Sequence, residues 1–263
     1  PLKRFDLVLR ALAEPVAVVN GVVHTMGPAG VIRNGTVVFD NGAITAVGAG
    51  LAPPAGAKVI DAKGAIVTPG LMDSLTYLGL REVSAEDSTD DTTASKAAFS
   101  AAFDVSYGVN PASAVIPVTR MHGVTRAITA PVTSKTIFAG QAAALSLGEG
   151  ASFWVRPGVG MFVSLDGSGA RLAGGARGAA WVYLREVMDD VRFYRDNRRA
   201  FDKAEARVTV LPRADLEALV PVIDGRMPLV VEAYRESDIR QVIAFAAGYK
   251  LRVILLGGAE AWK

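Results

Sequence analysis

The chain is poor in the residues that most often bind metals in proteins. Its 263 residues include no cysteine and only two histidines, His24 and His122. The absence of cysteine excludes disulfides and thiolate metal sites, and it fits the cytoplasm and the periplasm equally well. The two histidines fall in different segments of the sequence, and we expect neither to be part of a shared metal site.

Long apolar runs and long basic runs are also missing. No apolar stretch approaches the roughly 18 residues that a membrane span needs. The formal net charge is only +2, from 28 basic and 26 acidic residues. No basic patch interleaved with aromatic residues is present, so we expect neither nucleic acid nor a membrane span among its interactions.

What the chain does contain is enough apolar sequence for a large core, since 51% of its residues are hydrophobic. Residues 1–14 place Phe5, Val8, Leu9 and Leu12 at helical spacing, which predicts a short amphipathic helix. The same stretch lacks the apolar core and cleavage motif of a signal peptide. The compartment therefore stays open between cytoplasm and periplasm.

Residues 15–65 have the pattern of a small β domain. Two β-rich runs flank Asn41-Gly42, a pair that favours a two-residue hairpin turn because both central residues of that turn need positive φ. Residues 59–61 and Gly64 indicate a further short strand and turn. An anonymous β-sandwich is the simplest interpretation of this segment.

From residue 66 onward, apolar strands alternate with helical patterns, which is typical of βα units. Residues 82–97 are polar and predict an exposed loop, and short β pieces are expected over residues 137–150. A long helix is predicted from about Ala179 to Ala206, and another from Ser237, as its cap, to a stop at Gly248. The predicted strands and the remaining helix cover residues 66–67, 123–131, 160–165, 215–220, 228–234 and 252–258.

The stretch from Val67 to Tyr77 resembles the first barrel strand of the amidohydrolase superfamily, in particular its imidazolonepropionase-like, metal-dependent hydrolases. It reads Val-Thr-Pro-Gly-Leu-Met-Asp-Ser-Leu-Thr-Tyr, whereas the family has Pro-Gly-Leu-Ile-Asp-x-His-x-His. The resemblance implies an α/β fold, a (β/α)8 TIM-type barrel with a small N-terminal β-sandwich domain. Roughly 200 residues follow residue 65, fewer than the about 250 of a usual barrel, so we expect the barrel to be incomplete in this chain. The domains are then an N-terminal helical segment (1–14), half of the small β domain (15–65) and a partial barrel (66–263).

The residues that the resemblance assigns to the family's metal ligands are different here. The family would use zinc or another divalent metal, but the aligned positions carry Leu75, Tyr77, Phe162, Tyr234 and Gly257, and Glu232 stands at a further histidine position. An aliphatic chain offers no lone pair, and a neutral phenol is a poor ligand beside imidazole. The surrounding framework is retained, as Pro69-Gly70, Asp73, Arg235, Asp238-Ile239 and Glu260-Ala261. We therefore expect no metal and no other cofactor.

Three hypotheses for function remain. The first is a noncatalytic amidohydrolase-like subunit, which pairs with a second polypeptide that supplies the missing strands, with an active homologue, or with copies of itself. The second is a hydrolase of C–N bonds, in amides, cyclic amides or dipeptides, with a site rebuilt from Asp73, Glu232 and Arg235, although a hard cation wants about six oxygen ligands. The unremarkable alternative for Glu232 is an ion pair with Arg235 or Arg81. The third hypothesis is a small-molecule binding module whose pocket is lined by the former ligand positions.

Overall fold

The structure is a computed structural model, and it describes residues 14–83 and 86–263. The described chain forms two compact units, which divide between Leu71 and Met72. The predicted helix over residues 1–14 lies outside the described residues, except for Glu14. The sequence predicts domain boundaries after residues 14 and 65. Neither coincides with this division, and both stay predictions.

The first unit is built on one five-stranded sheet. Its strands are β1 (Val16–His24), β2 (Val31–Asp40), β3 (Ala43–Ala49), β4 (Lys58–Asp61) and β5 (Ile66–Val67). The order is β3-β2-β1-β4, and β5 also pairs with β1. Asn41 and Gly42 have φ of 50° and 75° and join β2 to β3, as their sequence predicts. The predicted β-sandwich is not confirmed, because the described residues of this unit form a single sheet.

The second unit contains a six-stranded sheet in the order β11-β10-β9-β8-β7-β6. Its strands are β6 (Leu71–Thr76), β7 (Val124–Thr129), β8 (Phe138–Leu147), β9 (Phe153–Ser164), β10 (Leu229–Ala233) and β11 (Val253–Gly257). Strands β9, β10 and β11 run parallel, whereas β8 is antiparallel to both of its neighbours. The predicted short β pieces over residues 137–150 are thus one ten-residue strand.

This sheet is curled. Met72 on the edge strand β6 and Ile254 on the opposite edge strand β11 line the same cavity of about 350 Å³, together with Phe162 and Val230 from strands between them. Residues from the two edges of a flat six-stranded sheet would be too far apart to do so. The fold is therefore α/β with a curled sheet, as in part of a barrel.

Helices accompany the curled sheet, and three of them cover its convex face. They are α1 (Val115–Met121), α2 (Gly167–Leu172), α3 (Arg177–Asp196), α4 (Arg198–Asp202), α5 (Arg213–Ile223) and α6 (Glu236–Tyr249). Successive strand residues point to opposite faces, so Met161, Val163, Leu229 and Val231 face outward. These four pack in one buried cluster with residues of α3, α5 and α6, among them Trp181, Leu184, Leu216, Leu219 and Phe245. No helix within residues 14–83 and 86–263 has the length and apolar character of a membrane span.

Two helix boundaries differ from the sequence prediction. The helix predicted over residues 179–206 is interrupted at Asn197, whose side-chain amide donates to the Phe193 carbonyl at 2.9 Å. Such local hydrogen bonding by asparagine competes with the helical ladder. The helix predicted to start after Ser237 begins at Glu236 and continues through Gly248, because Lys250 takes the left-handed conformation, with φ 58°, that ends it.

Candidate functional site

The candidate site lies where the parallel strands β9, β10 and β11 end, which is the side on which barrel enzymes carry their functional residues. A cavity of about 270 Å³, here called the mouth pocket, opens there. Its walls include Leu75, Tyr77, Phe162, Glu232 and Leu256. Four of the six positions that the resemblance aligns with metal ligands, at residues 75, 77, 162 and 232, thus line one cavity, while Tyr234 and Gly257 lie beside it.

The central polar contact of this region joins Tyr234 and Glu232. The Tyr234 hydroxyl donates to Glu232 Oε1 at 2.7 Å. That hydrogen bond, with burial and the charges of Glu232 and Asp166, raises the pKa of Tyr234 to about 12. The phenol is therefore neutral near pH 7 and acts as a hydrogen-bond donor.

The alternative interpretation of Glu232, an ion pair with Arg235 or Arg81, is not found in the structure. Arg81 is within 2.6 Å of Asp90, donates to Thr92 at 3.1 Å, and lies 4.9 Å from the centre of the Tyr77 ring. Arg235 precedes α6 and its side chain is exposed. Among the described residues, the side chain of Glu232 has no salt bridge, and its hydrogen-bond partner is Tyr234.

Tyr234 also determines what position 257 can hold. A Cβ added to Gly257 would lie 2.5 Å from Tyr234 Cε1 and 2.9 Å from its Cδ1. Gly257 has φ of 86°, a conformation that side chains other than glycine rarely adopt. A histidine at position 257 therefore requires both a displaced Tyr234 ring and a strained backbone.

Asp73 belongs to a different cavity. Its Oδ1 accepts from the Leu75 N–H at 3.2 Å, and it lines a cavity of about 450 Å³ together with Arg81 and Thr119. Leu75 and Tyr77 line both cavities and form the wall between them. The three residues suggested for a rebuilt catalytic site are thus distributed: Glu232 in the mouth pocket, Asp73 in the neighbouring cavity, and Arg235 at the start of α6.

The sequence analysis missed Ser164, the last residue of β9, and Asp166, which follows that strand beside the pocket. Asp166 Oδ1 accepts from Ser164 Oγ at 2.7 Å and from the N–H groups of Ser168 and Gly169 at 2.7 and 3.1 Å. Burial raises the pKa of Asp166, but these hydrogen bonds outweigh it and the net shift is downward. An aspartate followed by Gly-Ser-Gly directly after a strand is the signal that could have identified this helix cap.

The side chains do not fit a divalent metal. Within the described parts of the chain, no group of three or more histidine, cysteine, aspartate or glutamate side chains could hold an ion. The mouth pocket offers one carboxylate, and its other described walls are apolar or hydroxyl-bearing side chains. Zinc sites take three or four nitrogen, sulfur or oxygen ligands from the protein, and hard cations take about six oxygens. His122 is not among the lining residues, and its Nδ1 is 2.9 Å from the Val118 carbonyl oxygen.

Comparisons with known proteins found short sequence matches and one structural neighbour. No protein-family model matches the chain. The chain is 57% identical over 42 residues to a dihydroorotase of Geobacter sulfurreducens and 42% identical over 66 residues to a 5′-deoxyadenosine deaminase of Methanosarcina acetivorans. In three dimensions it resembles an amidohydrolase from Thermotoga maritima, with a TM-score of 0.78 at 20% sequence identity.

The matches cover unequal parts of the proteins. The sequence matches span 16% and 25% of this chain and only 10% and 15% of the two relatives. The structural match covers 94% of this chain and 65% of the Thermotoga protein. The chain thus spans a small part of the curated relatives and about two thirds of the structural neighbour.

Proposed function

We propose that this chain is a relative of the amidohydrolase superfamily, on the support of short matching segments of sequence and of its fold. In this proposal it is an amidohydrolase-like protein that does not carry out metal-dependent hydrolysis. It acts as a noncatalytic or partner subunit, and the curled sheet serves as a scaffold.

The observation that carries this proposal is the packing of Tyr234 against Gly257. The tyrosine ring fills the space that a side chain at position 257 would need, and the glycine backbone is in a conformation unfavourable for histidine. The two residues are therefore matched to each other. If a single substitution had removed one metal ligand, the residues at positions 234 and 257 would not need to fit each other.

Exposed apolar side chains on the edge strands support the partner role. Met72 on β6 is 55% exposed and Ile254 on β11 is 52% exposed, and both face the cavity on the concave side of the sheet. Edge strands present unpaired backbone groups, and apolar edges favour association with other polypeptide segments. A second polypeptide, an active homologue or a second copy of the chain would cover these side chains.

Metal analysis tests the proposal. The purified protein, dialysed against zinc and then against metal-free buffer, is analysed by inductively coupled plasma mass spectrometry. We expect far less than one zinc or manganese per chain and no turnover of dihydroorotate, 5′-deoxyadenosine or dipeptides. Stoichiometric metal that disappears in Glu232→Gln would overturn the proposal and favour the hydrolase with a rebuilt site.

A second candidate function, the binding of a small molecule, is favoured by the mouth pocket itself. Ligand sites are concave and mostly apolar, with a few polar groups that orient the ligand. The mouth pocket combines the apolar walls Leu75, Phe162 and Leu256 with polar groups, which are the Glu232 carboxylate and the hydroxyl-bearing residues Tyr77, Thr133 and Ser168. A thermal-shift screen that finds no stabilising ligand would count against this candidate.

The rebuilt hydrolase site has weaker support. Asp73 and Glu232 line different cavities, with the Leu75 and Tyr77 side chains shared by both. Under this alternative, Asp73→Ala and Glu232→Ala would each abolish a measurable turnover. Unchanged turnover in both variants would exclude a catalytic role for the two carboxylates.

A further inference from the structure

The mouth pocket has an uneven distribution of charge. Of the residues that line it, Glu232 is the one with a charged side chain; the others are apolar, hydroxyl-bearing or aromatic, and none is lysine, arginine or histidine. A partly buried carboxylate without a cationic partner is unfavourable unless it is well hydrogen-bonded, because burial removes water from the charged group. The pocket therefore holds an unbalanced negative charge.

Among the described residues, one of the two carboxylate oxygens of Glu232 has a hydrogen-bond partner. Oε1 accepts from the Tyr234 hydroxyl at 2.7 Å. In the part of the chain that the structure describes, Oε2 has no hydrogen bond or salt bridge. Tyr234, held neutral by this contact, fixes the carboxylate without neutralising it.

The charged groups that the structure places around the pocket form no salt bridge with Glu232 among the described residues. Asp166 interacts electrostatically with Tyr234, so it adds negative charge to the same region, and Arg171 acts on Asp166. Arg81 lines the neighbouring cavity, where it is paired with Asp90. The electrostatic environment of the pocket thus favours a cation.

We infer that the mouth pocket binds a small organic cation, an amine that carries an apolar or aromatic group. The ammonium group donates a hydrogen bond to the free oxygen of Glu232, and its apolar substituent packs against Leu75, Phe162 and Leu256. This inference rests on the small-molecule binding role proposed above and adds the charge and chemical class of the ligand.

Two other ligand classes fit less well. A carboxylate or phosphate would bring like charge to Glu232, and no basic side chain lines the pocket to receive it. A bare metal ion would find one carboxylate where it needs several donors. An ammonium group, in contrast, needs only one charged acceptor and tolerates apolar walls around the rest of the molecule.

Isothermal titration calorimetry with three probes of one shape tests this inference. Benzylamine, benzyl alcohol and benzoate are titrated into the purified protein at neutral pH in the presence of EDTA. We expect benzylamine to bind about 10- to 100-fold more tightly than benzyl alcohol, the range for a hydrogen bond to a charged group. Benzoate is expected not to bind.

Three variants locate the interaction. Glu232→Gln keeps the shape but removes the charge, and should abolish the preference for benzylamine. Glu186→Gln removes the same charge from an exposed position on α3 and should leave the preference intact. Tyr234→Phe keeps the charge of Glu232 and removes the hydrogen bond to its Oε1, so benzylamine binding should persist.

The possible failures are distinguishable. Equal affinity for benzyl alcohol and benzylamine, or an unchanged preference in Glu232→Gln, would overturn the cation inference while the pocket remains a binding site. Loss of benzylamine binding in Tyr234→Phe as large as in Glu232→Gln would also overturn it. Binding of none of the probes would overturn both the inference and the proposed binding role. Because EDTA is present, none of these results depends on metal content.

Discussion

The two faces of the curled sheet differ in what covers them. On the convex face, Leu229 and Val231 of β10 are 0% and 1% exposed and belong to the large cluster under α3, α5 and α6. On the concave face, Val230 packs in a smaller cluster that contains three alanines, and Ile254 is 52% exposed. The comparison indicates that the stability of this unit is concentrated on the convex face. The concave face is then available for ligands or partners.

The largest expected effect is on stability, and it is measured with one leucine substitution on each face of the sheet. Leu229→Ala removes a fully buried side chain from the convex cluster and should lower the free energy of unfolding by about 2–5 kcal/mol. Leu256→Ala makes the same change on the concave face, where the side chain is only partly buried, and should cost less than half as much. Urea unfolding followed by circular dichroism measures both. Equal losses of unfolding free energy in the two variants would contradict the stated difference between the faces.

A smaller effect is expected at the end of β11. Gly257→Ala introduces a Cβ against the Tyr234 ring and places alanine at φ 86°, which should cost about 1–3 kcal/mol. In the double variant Gly257→Ala/Tyr234→Ala, the steric contribution to this cost is removed, because the ring is absent. The contribution from the strained backbone at position 257 remains. The cost of Gly257→Ala should therefore be lower in a Tyr234→Ala background. Additive losses would show that the ring and the glycine are independent.

The Glu232–Tyr234 contact makes a prediction about titration. With Glu232 in place, Tyr234 should ionise near pH 12, because the phenolate would lose its hydrogen bond and face a carboxylate. In Glu232→Gln the charge is absent, and the pKa of Tyr234 should fall toward the ordinary value of 10.0. The ultraviolet absorbance of tyrosinate, taken as the difference from the corresponding Tyr234→Phe variants, reports this residue alone. An unchanged titration would contradict the contact.

The smallest expected effect is the acid sensitivity of the Asp166 turn. The pKa of Asp166 is lowered in the folded protein, so its carboxylate contributes stability above the unfolded value of 3.8. That contribution should be lost as the pH falls below 3.8 through the folded pKa. Asp166→Asn should accordingly be less stable than the natural chain at neutral pH, and the difference should shrink in acid. A difference that stays constant from neutral pH to pH 3 would show that the hydrogen bonds of Asp166 do not depend on its charge.

Local signals in the sequence predicted the elements with strong patterns. The Asn41-Gly42 hairpin was correct because the turn type is set by the two residues in it. The strands over residues 228–234 and 252–258 correspond to β10 and β11, since runs of β-branched and aliphatic residues favour buried strands. The antiparallel insertion of β8 was missed, because its alanines and glycine carry little strand propensity and its pairing partners are distant in the sequence.

The site was only partly accessible from sequence. The positions 75, 77, 162 and 232 were identified by resemblance, and the structure places all four on one cavity. The alternative considered for Glu232, an ion pair with Arg235 or Arg81, was wrong, because its hydrogen-bond partner is Tyr234. Alternate residues of a regular strand point to opposite faces, but Tyr234 follows the end of β10, where that rule no longer applies.

The sequence by itself determined the alternation of strands and helices and the hairpin at Asn41-Gly42. It also determined that the positions aligned by resemblance with the family's ligand histidines carry other residues. These depend on residue identity and on spacing along the chain. Only the tertiary structure decided that Tyr234 fills the space beside Gly257 and that Asp73 and Glu232 line separate cavities. It also decided that no cationic side chain among residues 14–83 and 86–263 pairs with Glu232. Those facts depend on the distances between the ends of the strands. The curl of the sheet sets these distances, and the curl itself results from side-chain packing elsewhere in the unit.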